Sequence, residues 1–282
     1  MVYYPPYRKG VSRNKRMIGI IMEYLSEHRE AVNHCIAGFS IKTDDYTKLT
    51  PADLGVKGDD SNHVYIKKNA SLDSINFVFG SKTRDSAIFI NDDVLCKNVK
   101  FVVKNQGNII YIGAGSRLNN TSIATTGKQD FVMIGAGVSI TSTTTISTGL
   151  SSGKMTNGVI IGDHCLLASE IVIRAADGHL ILDQYTRKQI NKSASPIVIE
   201  PYCWIGQRTA ILKNVRVGAC SIISFGAVVT KSAPRFSLLA GIPAQIKDIS
   251  GKAWLRNNSQ EAKDILSMYE KRFSLKDKSL SK

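Results

Sequence analysis

One histidine of this chain lies in a setting where it could do chemistry. His179 follows Asp177 and Gly178 in a polar stretch from 175 to 195. A neutral imidazole can take a proton from a hydroxyl group while the hydroxyl oxygen attacks a carbonyl carbon. The alternative is a core histidine, because His179 comes six residues after the apolar Ile173. A histidine that follows Asp-Gly in a loop is unusual in a core, so we favour proton transfer.

Two further residues could serve the same site. Asp177 could orient the imidazole and stabilise its charged form, as a carboxylate does in a catalytic triad. It could equally form the turn that precedes Gly178, and both interpretations stay open. Trp204 comes one residue before Ile205, which the repeat described next directs inward. Its indole should therefore point outward, where it would cover a ligand, the loop or a neighbouring subunit.

A six-residue repeat must position these side chains. In the block from 199 to 229 an aliphatic residue occupies every sixth position, and a compact residue follows each one by four. Neither the period of a helix nor the alternation of a strand produces this spacing, whereas a parallel β-helix does. The aliphatic positions are Ile199, Ile205, Ile211, Val217, Ile223 and Val229, and the compact ones are Cys203, Thr209, Val215, Ser221, Ala227 and Ala233.

Shorter runs with the same spacing occur earlier in the chain. We expect them to point inward and the polar stretches between them, at 80–86, 104–108, 124–130, 147–157 and 175–195, to be corner loops. The runs are Ile66, Leu72 and Val78; Ile90, Cys96 and Val102; Ile112 and Leu118; Ile134, Ile140 and Ile146; and Ile161, Leu167 and Ile173.

The repeats predict a mainly β fold in three segments. Residues 1–62 form a basic N-terminal extension with a helix from about Asn14 to Ile36. Residues 63–232 form the β-helix, which should end near Lys231. Residues 233–282 form an extended crossing segment and then a C-terminal helix from about Ser259 to Phe273.

Composition limits the partners and the compartment. The formal net charge is +14, from 37 basic and 23 acidic residues, which favours an anionic partner. No nucleic-acid-binding motif is found, so nucleic acid is not expected. The five scattered cysteines form no CxxC pair, and the apolar run 17–22 is too short to cross a membrane. We therefore expect a cytoplasmic protein with no transmembrane segment; peripheral membrane contact through the basic extension stays open.

A metal site is not expected from the histidines. A zinc-dependent β-helix enzyme needs three histidines that converge on the ion. The five histidines lack such a spacing, so we set that class aside: His28, His34, His63, His164 and His179.

Several motifs together resemble the hexapeptide acyltransferase family. They are the repeat block, Val229-Val-Thr-Lys231 and Ala240-Gly-Ile-Pro-Ala244. Ala176-Asp-Gly-His-Leu180, followed by Tyr202-Cys-Trp-Ile-Gly206, is similar to the sugar O-acetyltransferase branch, which includes enzymes of capsular polysaccharides. The resemblance covers about 160–250 well, 66–160 only as repeats, and 1–60 not at all. It implies a left-handed β-helix, a homotrimer with active sites between subunits, and acetyl-CoA as co-substrate.

The resemblance also implies roles for individual residues. His179 would be the general base and Trp204 would shape the cleft near the thioester. The backbone at Gly226 and Ala227 would approach the pantetheine arm. Relatives often carry arginines after the Gly-Ile-Pro turn, whereas this chain has one basic residue there. The implied coenzyme-binding residues are Gln207, Phe225, Gly226, Ala227, Thr230, Lys231 and Lys247.

The expected function is O-acetyl transfer from acetyl-CoA to a sugar hydroxyl, without an acyl-enzyme. The positive charge favours an acidic capsular or surface polysaccharide as acceptor. One alternative is an N-acetyltransferase of an amino or nucleotide sugar, or a transferase of a drug hydroxyl. An alternative of another class is an inactive β-helix scaffold that binds a polyanion.

Overall fold

Short strands dominate the computed structural model, which describes residues 26–149 and 157–273. The helices are α1 (Arg29–Cys35) and α2 (Gln260–Arg272), with a 3₁₀ turn at Thr43–Asp45. The strands are β1 (Thr47–Leu49), β2 (His63–Ile66), β3 (Ser71–Asp73), β4 (Asn76–Phe79), β5 (Ala87–Ile90), β6 (Leu95–Val103), β7 (Ile109–Ile112), β8 (Arg117–Thr125), β9 (Phe131–Ile134), β10 (Ser139–Ser142), β11 (Thr144–Ser147), β12 (Gly158–Ile161), β13 (Leu166–Ser169), β14 (Val172–Arg174), β15 (Ile197–Ile199), β16 (Trp204–Ile205), β17 (Ala210–Leu212), β18 (Arg216–Val217), β19 (Ile222–Ile223), β20 (Val228–Val229), β21 (Ser237–Gly241) and β22 (Ala244–Asp248).

The strands stack into the three walls of a parallel β-helix. The first wall is an eight-stranded sheet in the order β1-β2-β5-β7-β9-β12-β15-β18, in which only β1 is antiparallel to its neighbour. A 14-stranded sheet forms the other two walls, because β6 and β8 bend around a corner and pair on both sides of it. The second wall continues β10-β13-β16-β19-β21, and the third continues β11-β14-β17-β20. The predicted mainly β solenoid with an N-terminal and a C-terminal helix is confirmed.

The inward positions of the repeat form one continuous core. All six aliphatic residues of the block from 199 to 229 are fully buried, as predicted, and so are the thiols of Cys165 and Cys203. The prediction is wrong at Val78, whose side chain is 36% exposed. Its neighbours Phe77 and Phe79 point into the core instead, because strand side chains alternate and a shift of one residue reverses their faces.

The same shift affects the next coil. Val102 pairs with Val78 in register, and it lies outside the core cluster that contains Phe101 and Val103. The rings of Phe77 and Phe101 stack at a centroid distance of 5.4 Å. The two aromatic rings therefore occupy the inward positions that the six-residue spacing assigned to the valines.

The N-terminal segment covers the outer face of the first wall. Val32, Cys35 and Ile36 pack against Tyr65 and Phe89 in a second apolar cluster. Strands β5, β7, β9 and β12 are consequently buried on both faces, which explains their uninterrupted apolar sequences. Positions 14–25 of the predicted N-terminal helix lie outside the described residues. None of the described helices combines the length and apolar character needed to cross a bilayer.

The C-terminal segment adds one more strand to the stack. β21 pairs in parallel with β19, so the second wall continues beyond the predicted end near Lys231. β21 and β22 then form an antiparallel hairpin where an extended crossing segment was expected. The predicted helix is present as α2, and its N-terminus is capped by Ser259, whose Oγ accepts from the Ala262 amide at 3.1 Å.

A buried glutamate fastens both terminal segments to the solenoid. The Glu200 carboxylate accepts from the Arg216 guanidinium, from Arg235 Nε at 3.0 Å and from the Ala219 amide at 3.0 Å. His34 Nε2, in the N-terminal segment, lies 3.4 Å from the same carboxylate. In turn, the His34 carbonyl accepts from Arg272 of α2 at 2.7 Å. The segment around His34 and helix α2 therefore meet at one charged cluster.

Glu200 should make stability depend on pH. Burial alone raises the pKa of its carboxyl, but the contact with His34 and the charge of Arg216 hold that pKa well below its usual range. A lowered folded-state pKa stabilises the fold at pH values above the unfolded-state pKa, and this stabilisation is lost as the pH falls. We expect Glu200→Gln to lower the unfolding free energy at pH 7 by about 3 kcal/mol, because two arginines lose their buried counterion.

Urea denaturation between pH 7 and pH 3 checks this expectation. The difference between wild type and Glu200→Gln should shrink as the medium becomes more acidic. Glu170→Gln is the matched control, since Glu170 forms an exposed pair with Arg208 and should change stability little. Equal effects of the two substitutions, or a difference that does not vary with pH, would contradict the role given to Glu200.

Candidate active site

The loop that carries His179, residues 175–196, is called the histidine loop and leaves the solenoid at the corner between the third and first walls. It follows β14 and returns to β15, and the polar stretches predicted as corner loops in the earlier coils leave at this same corner. His179 is exposed in this loop. The alternative of a core histidine is therefore excluded, and the imidazole is accessible to a substrate.

Two side chains hold the backbone around His179. The carboxylate of Asp177 accepts from Lys213 Nζ at 2.5 Å and from Asn191 Nδ2 at 2.7 Å. The same amide nitrogen of Asn191 donates to the His179 carbonyl at 2.9 Å, and its oxygen accepts from the Ile181 amide at 2.9 Å. Asn191 thus ties the outgoing and returning strands of the loop together on both sides of His179.

This network also shifts the pKa of the Asp177 carboxyl. The hydrogen bond from Lys213 lowers the pKa of the Asp177 carboxyl. Among the described residues its carboxylate bonds to Lys213 and Asn191, and no bond to the His179 imidazole is found. The geometry therefore places Asp177 in the support of the loop backbone, which is closer to the turn-forming interpretation than to the triad interpretation.

The returning strand of the loop is held from the same corner of the next coil. Asn214 Oδ1 accepts from the amides of Ala194 and Ser195 at 2.7 and 3.1 Å. Because Lys213 and Asn214 are consecutive, one corner holds both ends of the loop. The roles of Lys213, Asn191 and Asn214 are not predicted by the sequence. Only the stacking of β17 on β14 reveals that this corner lies above the start of the loop.

Trp204 occupies a different part of the surface. Its side chain points outward as predicted, is 40% exposed, and has the Trp254 ring at a centroid distance of 6.3 Å. In register with it on the second wall lie Leu166 and Ile222. In a three-walled prism the second wall is opposite the corner between the third and first walls. One copy of the chain therefore keeps His179 and Trp204 on opposite sides.

The predicted coenzyme residues fall into three places. Gln207, Phe225 and Gly226 lie at the corner between the second and third walls, where Gln207 donates to Glu170 at 2.6 Å. Phe225 is 62% exposed. Thr230 and Lys231 are exposed at the end of the third wall, one coil above Leu212 and Lys213. Lys247 lies on β22, opposite Leu238 of the second wall.

The backbone amides of Gly226 and Ala227, which the resemblance places beside the pantetheine arm, already have acceptors. The Gly226 amide donates to the Gln207 carbonyl at 2.8 Å, and the Ala227 amide donates to Ser224 at 3.2 Å. Ala227 itself is fully buried. A ligand could therefore pass along this backbone by close contact, since a Cβ on Gly226 would meet nothing within 4 Å. Oxyanion stabilisation through these two amides is not available in this conformation.

No group of three or more histidine, cysteine, aspartate or glutamate side chains in the described segments is arranged to hold a metal ion. Asp177 of the histidine loop instead forms an ion pair with Lys213, and this pair supports the loop backbone.

Comparisons with known proteins find similarity to acetyltransferases. No family model matches the chain. The chain is 36% identical over 88 residues to a polysialic acid O-acetyltransferase of Escherichia coli O1:K1 / APEC, which is 31% of this chain and 28% of that protein. It is 44% identical over 54 residues to a 2,3,4,5-tetrahydropyridine-2,6-dicarboxylate N-acetyltransferase of Staphylococcus aureus strain JH9, which is 19% of this chain and 23% of that protein. The matched segments cover less than a third of these relatives.

A solved structure shares the fold over a longer range. The polysialic acid O-acetyltransferase OatWY superimposes with a TM-score of 0.51 at 22% identity, over 70% of this chain and 98% of that one. The resemblance to β-helix acetyltransferases that the motifs predicted is confirmed by these comparisons.

The loop support leads to a specific expectation. Lys213→Met should release the Asp177 carboxylate and loosen the loop, while the core of the solenoid stays folded because the pair is partly exposed. Chymotrypsin cleavage after Tyr185, whose side chain is 95% exposed, reports this loosening. We expect faster cleavage in Lys213→Met and a wild-type rate in Lys192→Met, which removes a lysine from the same loop. Unchanged cleavage in Lys213→Met would show that the ion pair does not hold the loop.

Proposed function

We propose that this chain, which shares the parallel β-helix of the acetyltransferases it resembles, transfers acetyl groups from acetyl-CoA to a sugar hydroxyl. The acceptor would be an acidic capsular or surface polysaccharide. The observation that carries the proposal is the exposed imidazole of His179 on a loop whose backbone is fixed by Asn191 and by the Asp177–Lys213 pair. A base held in place matters most for an alcohol acceptor, because a hydroxyl group is a poor nucleophile while it is protonated.

The residues support a direct transfer. The His179 imidazole takes the proton from the acceptor hydroxyl as its oxygen attacks the thioester carbonyl carbon. The carbon–sulfur bond then breaks, the thiolate of coenzyme A leaves, and the imidazolium returns the proton to it. The product is an acetyl ester, and no acyl-enzyme forms. Asp177 acts as a positioning residue in this scheme, since its bonds go to Lys213 and Asn191.

The site is completed by a second copy of the chain. His179 and Trp204 lie on opposite sides of one copy, so a cleft that contains both requires two copies. The loop carries an unusually apolar exposed surface, which favours contact with another protein surface. Its exposed apolar side chains are Leu180, Ile181, Leu182, Tyr185 and Ile190. A closed ring of three copies, as the resemblance implies, would repeat the same contact three times.

The coenzyme would lie along the groove that this assembly creates. One corner of the groove would be lined by Gln207, Phe225 and the backbone at Gly226, which carries no side chain. The buried Ala227 would lie behind them in the wall. Thr230 and the exposed Lys231 would meet it at the end of the third wall, and Lys231 would supply charge for a phosphate. Lys247 on β22 would add a second cation where relatives carry arginines.

An acidic acceptor is favoured by the charge of the loops. The formal net charge is +14, and the described loops at the histidine corner expose several lysines, among them Lys82, Lys104, Lys128, Lys188 and Lys192. A positive field along one corner concentrates a polyanion near the reactive loop. The relative from Escherichia coli is named for polysialic acid, which is such a polymer.

A second candidate function is N-acetyl transfer. It is favoured by the short segment of 44% identity to the N-acetyltransferase of Staphylococcus aureus. An inactive scaffold that binds a polyanion is the candidate of another class. Acceptor panels that contain hydroxyl-only sugars, amino sugars and acidic polymers separate the three, because the scaffold would bind polymer without releasing coenzyme A.

Removal of the imidazole tests the proposed base. We expect His179→Ala to lower acceptor-dependent thiol release from acetyl-CoA by about 10²- to 10⁴-fold, the usual contribution of a positioned general base. Gln184→Ala, a change at an exposed position of the same loop, should leave the rate near that of the wild type. Retention of most of the activity in His179→Ala would remove this histidine from the mechanism.

Tryptophan fluorescence tests the placement of the coenzyme. The chain has two tryptophans, of which Trp204 is exposed and Trp254 is buried. Acetyl-CoA should change the emission of the wild type and of Trp254→Phe, which keeps the exposed indole. It should leave the emission of Trp204→Phe unchanged. The reverse pattern would place the coenzyme away from the second wall.

A further inference from the structure

Arg174 lies at the base of the histidine loop and faces outward. It is the last residue of β14, and the alternation along this strand buries Ile173 and exposes Arg174. Its register neighbours on the third wall are Ser147 and Leu212, which are uncharged. The arginine is therefore the one charged side chain among these three stacked positions, directly before the loop that carries the proposed base.

The guanidinium is directed toward the turn before His179. Arg174 Nε donates to the Ala176 carbonyl at 3.2 Å, which fixes the plane of the group. A Cβ added to Gly178 would lie 2.8 Å from the Nη2 atom of Arg174. The guanidinium consequently fills the space beside Gly178, one residue from His179.

Asp177 of the loop interacts electrostatically with this charge but forms no ion pair with it. The Asp177 carboxylate forms its ion pair with Lys213 and its other bond with Asn191. The described residues include no ion pair of Arg174, and they supply no acceptor to its two terminal amino groups. Arg174 thus presents two parallel donors next to the reactive loop, in an orientation set by the bond from Nε.

We propose that Arg174 binds the carboxylate of an acidic acceptor sugar and thereby selects acidic over neutral acceptors. This inference rests on the transferase function proposed above. A planar guanidinium pairs with a carboxylate through two parallel hydrogen bonds, which gives direction as well as charge. The sugar that is bound at Arg174 would have its hydroxyl held near His179. The lysines of the neighbouring loops attract the polymer without this directional contact.

The test compares two acceptors that differ only at the carboxylate. Oligosialic acid and its carboxyl-reduced form, in which each carboxylate is a hydroxymethyl group, are assayed with wild type, Arg174→Gln, Arg174→Lys and Lys188→Gln. We expect Arg174→Gln to lower kcat/KM for oligosialic acid by about tenfold or more, as loss of a charged hydrogen bond does. The rate with the reduced acceptor and the KM for acetyl-CoA should stay near their wild-type values. The kcat/KM of Arg174→Lys for oligosialic acid should lie between those of the wild type and Arg174→Gln, because lysine keeps the charge but lacks the two parallel donors of the guanidinium.

Each other outcome has a definite meaning. If Arg174→Gln lowers the rates with both acceptors equally, Arg174 only supports the turn, and the inference is wrong while the transferase remains. If Lys188→Gln matches Arg174→Gln, general charge explains the preference and the specific contact is wrong. If the wild type acetylates neutral sugars and not oligosialic acid, the selectivity is refuted and the transferase stands. If it acetylates no acceptor at all, the proposed function fails as well.

Discussion

Aliphatic side chains buried between successive coils hold the strands in register, and the place of every candidate site residue depends on this packing. The six inward residues of the block from 199 to 229 are fully buried. Each buried aliphatic side chain stabilises the stack by about 1.5–3 kcal/mol relative to exposure, so a slip of one residue would be costly in every coil. This register places Lys213 above the start of the histidine loop and keeps Trp204 on the opposite wall.

The repeat made much of this arrangement predictable. The fully buried positions of the later coils and the outward indole of Trp204 follow from six-residue spacing alone. The first coils were harder to predict, and the error lies on the third wall. Phe77 and Phe101 come one residue before Val78 and Val102, so a shift of one residue reverses the faces, and the two stacked rings take the inward positions.

The support of the histidine loop could not be predicted from local sequence. Asp177 is 36 residues from Lys213, and the two meet only because β17 stacks on β14. Because Lys213 is so distant in the sequence, the sequence alone left two roles open for Asp177. The exposed position of His179 was predictable, because its Asp-Gly context marks a loop.

The proposed cleft needs two copies of the chain, because one copy keeps His179 and Trp204 on opposite sides. Mixing the single variants His179→Ala and Trp204→Ala during refolding tests this requirement most directly, with acetyl-CoA turnover as the readout. In rings assembled from equal amounts of the two variants, half of the copies keep His179 and half keep Trp204. About a quarter of the sites should therefore join an intact histidine to an intact tryptophan and regain activity. A mixture no more active than the average of the two separate variants would contradict the shared site.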